Sequence, residues 1–287
     1  MTRSKPAGVT LVAAALAAAA IPAAAQSPIQ DNSFLLEEAY NQERGVVQHI
    51  STFEHDGDGA WEYAFTQEWP LGGLRHQLGY TLPLLDRGLG TGVGDFAVNY
   101  RMQAVGHPHA TLLVAPRITL LVPTGDPAEG RGSGGPGVQL NLPVTAVLGP
   151  RLVSHWNAGA TFVPSADAPD GGTAATRSVN LGAGAVWLLR PALNFLLEAV
   201  WSSDAEAVSG GVTARSEAAF VSPGVRGAVN LGGIQVVPGI AYLVGVGPSE
   251  GATSVFLYLS LEHAFSRQAP SSFRPIRHIL EKRPSGR

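Results

Sequence analysis

From Gly45 to Phe265 the chain reads as about a dozen segments in which apolar and polar residues alternate, each closed by a turn signal. Trp61, Tyr63, Phe65 and Trp69 fall on one face of a segment over 60–69, with Glu62, Ala64, Thr66 and Glu68 on the other. The pattern repeats in 93–103, where Phe96, Val98, Tyr100 and Met102 oppose Asp95, Asn99, Arg101 and Gln103, and in 253–265, where Val255, Leu257, Leu259 and Leu261 oppose Ser254, Tyr258, Ser260 and Glu262. A period of two predicts strands, and most segments hold ~9–13 residues, enough to cross a bilayer when tilted. The connections alternate between short and long. Short turns are expected at 70–73, around His107-Pro108, at Gly149-Pro150, at Arg190-Pro191 and at 230–233; longer loops are expected at 54–59, 86–92, 123–137, 164–176, 202–215 and around Pro248 and Glu250.

This rhythm predicts an all-β chain folded as a transmembrane antiparallel up-and-down β-barrel of about 12 strands, over residues 46–265. An even strand number puts both chain ends on one side of the membrane, with short turns there and longer, acidic, glycine-rich loops on the other. Trp61, Trp69, Tyr80, Tyr100, Trp187 and Trp201 fall near strand ends, where interfacial aromatic girdles belong. A soluble barrel or sandwich with its apolar face inward is the alternative. Pro116, Pro143, Pro223 and Pro238 lie inside strand segments, which predicts bulges or positions without a ladder bond.

The chain ends change the picture. Arg3 and Lys5 precede an alanine-rich apolar run over 7–20 and the small residues Ala23-Ala24-Ala25, the pattern of a secretory signal peptide cut before Gln26; a retained membrane helix is the other reading. Residues 26–45 form an N-terminal segment in which Asp31, Asn32 or Ser33 could cap a short helix. Phe34, Leu35, Leu36 and Tyr40 give it an apolar surface, suited to plugging the lumen, with Phe34, Leu35 and Tyr40 the plug candidates, or to resting on the rim. Residues 266–287 form a basic tail with six Lys or Arg against one Glu, read as a periplasmic extension.

Charge and composition exclude several classes. Residues 26–265 hold eleven arginines against twenty-one carboxylates, which argues against a nucleic-acid partner. There is no cysteine, so neither disulfides nor thiolate metal sites are available. The histidines show no metal spacing, and Asp56-Gly57-Asp58-Gly59 lacks the length and glutamate of a calcium loop. No cofactor is expected.

If the apolar face meets lipid, the polar face lines a lumen. The candidate lining residues are Glu62, Glu68, Arg75, Asp95, Asn99, Arg101, Arg117, Gln139, Asn141, His155, Asn157, Glu198, Arg226 and Glu262. Two readings of them stand: a charged constriction that selects solutes, or a ladder of ion pairs and hydrogen bonds that fills a narrow barrel. An outer-membrane hydrolase, with His155 and Asn157 as the nearest catalytic candidates, is a third and weaker reading, because no motif links a serine to them.

The segments Gly94-Asp95-Phe96-Ala97-Val98-Asn99-Tyr100-Arg101, Ala115 through Gly125, Gln139-Leu140-Asn141-Leu142-Pro143-Val144, His155-Trp156-Asn157-Ala158-Gly159, Ser222-Pro223-Gly224-Val225-Arg226 and Ile29 through Glu43 resemble a family of outer-membrane β-barrels, the group named for the MetA pathway of phenol degradation. The resemblance covers nearly all of the chain after residue 26. It implies an outer-membrane location in a Gram-negative-type bacterium, membrane lipid around the barrel, and passive passage of small hydrophobic or aromatic molecules. It carries over no catalytic residues, and it implies no oligomeric state. A basic tail after Phe265 departs from the terminal aromatic strand common in such barrels. A closed barrel acting through its surface loops is the competing function.

Overall fold

The computed structural model describes residues 32–265 except 108, 109 and 232. The signal-peptide reading of 1–25, the basic tail 266–287 and the first residues of the N-terminal segment lie outside the described residues.

Twelve antiparallel strands close into one barrel: β1 (Val46–Asp56), β2 (Trp61–Pro70), β3 (His76–Asp86), β4 (Phe96–Met102), β5 (Arg117–Val122), β6 (Gly137–Gly149), β7 (Leu152–Asp167), β8 (Thr173–Arg190), β9 (Leu193–Val208), β10 (Val212–Gly227), β11 (Ile234–Gly245) and β12 (Thr253–Ala264). Each pairs with its sequence neighbours. Closure comes from β1 lying along β12, from Val46 opposite Ala264 to Asp56 opposite Ser254. Closure thereby leaves no open sheet edge around the wall, the condition for a sheet whose surroundings offer no hydrogen bonds.

Polarity is inverted relative to a soluble barrel. Leu120, Leu140, Leu142, Leu181, Leu197, Val225, Leu257 and Leu259 point outward and are exposed, whereas Gln48, Asn99, Arg101, Thr119, His155, Glu198, Arg226 and Glu262 point inward and are buried. An apolar belt this continuous is stable only against an apolar medium.

The strict alternation of short and long connections does not hold. The expected long loops over 202–215 and 164–176 are mostly strand: β9 and β10 continue to a turn of three residues, 209–211, and β7 and β8 to a turn of five, 168–172. Gly210 and Gly211, at φ 87 and 69, supply the left-handed backbone that so tight a reversal needs. Conversely, the expected short turn at His107-Pro108 belongs to a connection spanning 103–116. There a strand fragment, Leu112–Val114, pairs with β6 and is cut from β5 by Ala115-Pro116. Pro116 has no N–H to give the ladder, and its carbonyl instead accepts from Met102 N–H at 3.0 Å. Pro143 and Pro238 stay within regular pairing, opposite Asn157 and Leu259.

Residues 32–45 contain no helix. They run inside the barrel, from mid-height on the β9–β12 side down to the rim where β1 starts. The reason lies in the backbone. The N–H groups of Phe34, Leu35, Leu36, Glu37, Ala39 and Gln42 all donate to wall side chains. A helix would have turned those groups inward on itself. Among the described residues no helix is long and apolar enough to cross a membrane.

Candidate functional site

The interior has two unlike walls, and the segment lies between them. The wall from β7 to β12 carries an apolar cluster that includes Val186, Leu196, Val237, Leu243, Phe256 and Tyr258, beside the buried polar side chains of Asn194, Glu198, Ser222, Arg226 and Glu262. The wall from β2 to β7 is polar. Thr66 meets Thr81 at 2.9 Å, Thr119 Oγ1 donates to Asn99 Oδ1 at 2.8 Å, Arg117 Nη2 to Gln139 Oε1 at 2.6 Å, and Asn141 Nδ2 to Asn157 Oδ1 at 3.1 Å.

The segment matches each wall. On the apolar side, Phe34 packs 5.3 Å from the Tyr258 ring and 5.9 Å from that of Phe256. Its ring fills a notch left by Gly224 and Gly239: a Cβ on Gly224 would stand 2.7 Å from Phe34 Cε2. Leu36 fills a second notch at Gly182 and Gly184, where a Cβ on Gly184 would stand 2.9 Å from Leu36 Cδ1. Glu198, 1% exposed, accepts from the N–H groups of Phe34, Leu35 and Leu36 at 3.1–3.3 Å. Three amides on one carboxylate neutralise much of the cost of placing that acid in an apolar wall.

On the polar side, Glu37 Oε1 lies 2.8 Å from Arg117 Nη2. Arg101 faces three carboxylates, Glu68 at 3.7 Å, Glu38 at 3.8 Å and Glu37 at 3.9 Å, and donates to Asn41 Oδ1 at 3.1 Å and to the Glu38 carbonyl at 3.3 Å. Asn157 clamps the backbone of Glu37 from both sides, accepting its N–H at 2.9 Å and donating to its carbonyl at 2.8 Å. Thr145 accepts from Ala39 N–H at 2.8 Å and also meets His155 Nδ1 at 2.9 Å. Gln42 is held by Gln77 and by a close contact with Gln48. Tyr40 packs near Ala39, Leu113 and Ala115. Beside Glu68, Gln77, Gly79, Asn99, Arg101 and Arg117 lies a narrow gap with no room for a water-sized sphere.

The structure therefore brings Glu68, Asn99, Arg101, Arg117, Gln139, Asn141, His155, Asn157 and Glu198 to the interior, and Arg226 and Glu262 to its lower end, both 2% exposed. It does not bring three of the candidates there. Arg75 is exposed in the turn 71–75, because β3 begins at His76 rather than Leu74. Glu62 lies at the outer rim, paired with Arg87 at 2.8 Å in a half-exposed bridge. Asp95 precedes β4 and pins the loop 123–136, accepting from Gly125 N–H at 3.0 Å and from Ser133 N–H and Oγ at 2.8 and 2.7 Å. The hydrolase reading is not supported by the placement of His155, which is 0% exposed inside the barrel and away from any lipid-facing surface. Among the described residues no three His, Asp or Glu side chains converge as a metal site.

Sequence reasoning did not find the seat of the segment. Leu36, Glu37, Glu38 and Gln42 carry its anchoring, and the two glycine pairs make room for it. Glycine at every second position inside a strand, as at Gly182 and Gly184, marks close approach of another chain to that face and was the available signal.

Two solved structures share the fold. A NanC porin superposes with a TM-score of 0.52 at 8% identity, covering 75% of this chain and 98% of that one. An outer membrane channel from Pseudomonas putida F1 superposes with a TM-score of 0.58 at 14% identity, covering 79% and 98%. At such identities the likeness is one of fold, a closed outer-membrane-type barrel. No protein-family model matches the chain, and no characterised protein matches it in sequence.

Proposed function

We propose that the protein is an outer-membrane channel for small solutes, kept closed by its own N-terminal segment. The observation that carries this reading is the seat itself: one stretch of chain anchored by side chains of seven wall strands and fitted into two glycine notches. The inverted polarity of the wall supports membrane lipid as its surroundings. The likeness to channel folds and the basic-then-apolar start of the sequence support the outer membrane, reached by export.

The finer reading is that the solute has hydrophobic or aromatic character, in line with the sequence resemblance to the phenol-degradation group. The apolar cluster around Phe34 supports it, since an aryl or alkyl body would pack there in place of the Phe34 ring. The competing reading is a permanently sealed barrel acting through its outer loops, and the tightly filled interior speaks for it.

Single-channel conductance of the refolded protein in a planar bilayer, with and without residues 26–45, separates the two. A gated channel conducts steadily and conducts more after deletion. A folded preparation that passes no current in either form supports the sealed barrel.

A further inference from the structure

The segment is bound as a ligand would be bound, and its chemistry describes what the walls select. We propose that Arg101 and Arg117 form a binding site for the carboxylate of an amphipathic solute, an anion with an aryl or alkyl body, and that Glu37 occupies this site in the closed form. The inference rests on the channel reading and names the solute class of the same interior.

Three observations carry it. First, the wall alone is unbalanced at this point. Arg101 and Arg117 face a single wall carboxylate, Glu68; the other acids within 4 Å, Glu37 and Glu38, belong to the segment. Withdrawing the segment leaves one net positive charge, which one monoanion neutralises. Second, the guanidiniums are not saturated even with the segment in place. Arg101 Nη2, 3.7 Å from Glu68 Oε2, and Arg117 Nε are buried without a hydrogen bond, and both residues border the gap described above. Buried guanidinium N–H groups normally find acceptors, and a planar carboxylate accepts two of them side by side. Third, the opposite wall carries an apolar cluster and two notches, with Glu198 among them. Gly182 and Gly184, and Gly224 and Gly239, hold hydrocarbon side chains of the segment, Leu36 and Phe34. From Phe34 to Glu37 is three residues, at most about 10 Å of extended chain. A solute bridging the same two features spans that backbone distance plus the reach of the two side chains. Such a solute competes with the segment for one site, so its binding opens the passage it uses.

The chain lacks cysteine, so a single thiol reports on the seat. Ser33, 5% exposed beside Phe34, is the place for it. In the full-length Ser33→Cys protein, folded in vesicles, the labelling rate by a water-soluble maleimide is measured with 4-phenylbutyrate, 4-phenylbutanol or 4-phenylbutylamine. The acid is expected to raise the rate at least tenfold, and the alcohol and the amine to leave it within twofold. Arg117→Gln abolishes the response to the acid whatever its basal rate, and Arg117→Lys, which keeps the charge, retains part of it. Heat-modifiable migration on gels establishes that each variant is folded.

Equal responses to acid and alcohol overturn the carboxylate site. A response to the amine alone assigns recognition to Glu198, bared by the same displacement, and likewise overturns it. No response to the acid, or rapid labelling before any solute is added, also overturns it. Failure of the channel reading looks different: the Glu37→Gln protein then shows no current in a bilayer. Current in Glu37→Gln without any effect of the acid leaves the channel standing and removes only the proposed solute.

Discussion

Glu37 and Arg117 meet at 2.8 Å, a carboxylate of the interior segment on a guanidinium of the wall. Both side chains are about one-fifth to one-quarter exposed, so neither the full desolvation cost nor the full attraction of a dry pair applies. Each nevertheless leaves an uncompensated charge when its partner is removed. Glu37→Gln and Arg117→Gln are each expected to raise the open probability in a bilayer, and the double variant to raise it no further than the stronger single one. The coupling read from such a cycle should lie at about 0.5–3 kcal/mol. Additive effects would mean that the two residues hold the segment independently.

The glycine notches predict a second way to unseat the segment. Ala at Gly182 presses on the Leu36 side chain and on Val200, and Ala at Gly239 on the edge of the Phe34 ring, so each displaces the segment only slightly. Gly182→Leu and Gly239→Leu fill the notches outright. These variants are expected to conduct as the protein lacking residues 26–45 does, while keeping the same heat-modifiable migration. Leu36→Ala removes the contact from the other side and weakens the seat by about 2–5 kcal/mol, the range for a buried leucine. A conductance unchanged by all three would show that the notches do not hold the segment in place.

How far the sequence disclosed this can be seen in particular residues. Strand after strand was legible, because a wall between lipid and a polar interior demands strict period-two patterning, as in Phe96–Met102. The positions of Asn99, Arg101 and Arg117 in that pattern put them inside. Connections were less legible. Glycine and polar residues over 202–215 read as loop, yet a hairpin that projects beyond the membrane is also polar on both faces. The segment was least legible. Its conformation is set by acceptors on four strands far away in sequence, such as Glu198 and Asn157, and nothing local in 32–45 distinguishes an extended ligand-like path from a helix.

The outer belt gives a prediction about the surroundings. Leu140 is 56% exposed on the outward face of β6, next in sequence to the inward-facing Gln139 and Asn141. If lipid is the medium there, Leu140→Arg destabilises the barrel by about 2–4 kcal/mol near the bilayer midplane and less toward either interface. Urea unfolding from phospholipid vesicles measures it. Ala158, outward on the adjacent β7, should respond to the same substitution in the same direction. No loss at either position would place this face against protein or water.

The last prediction concerns the outer turns. Asp170 accepts Gly210 N–H at 2.9 Å and Gly172 N–H at 3.1 Å, tying the β7–β8 turn to the β9–β10 turn. These two backbone donors, that of Gly210 foremost, favour the carboxylate and hold its pKa below the ordinary aspartate value of 3.8. The sign follows from that depression. The stabilising clamp is fully present above the ordinary value and is lost as pH falls through the depressed one. The Gly210 amide should therefore be protected from hydrogen exchange at pH 5, beyond what base-catalysed exchange alone explains, and lose that protection in more strongly acidic buffer. In Asp170→Asn the side-chain carbonyl accepts more weakly, and the acid-induced loss should vanish. A Gly210 amide whose protection is the same in both proteins at every pH would show that the two turns are joined by their strands alone.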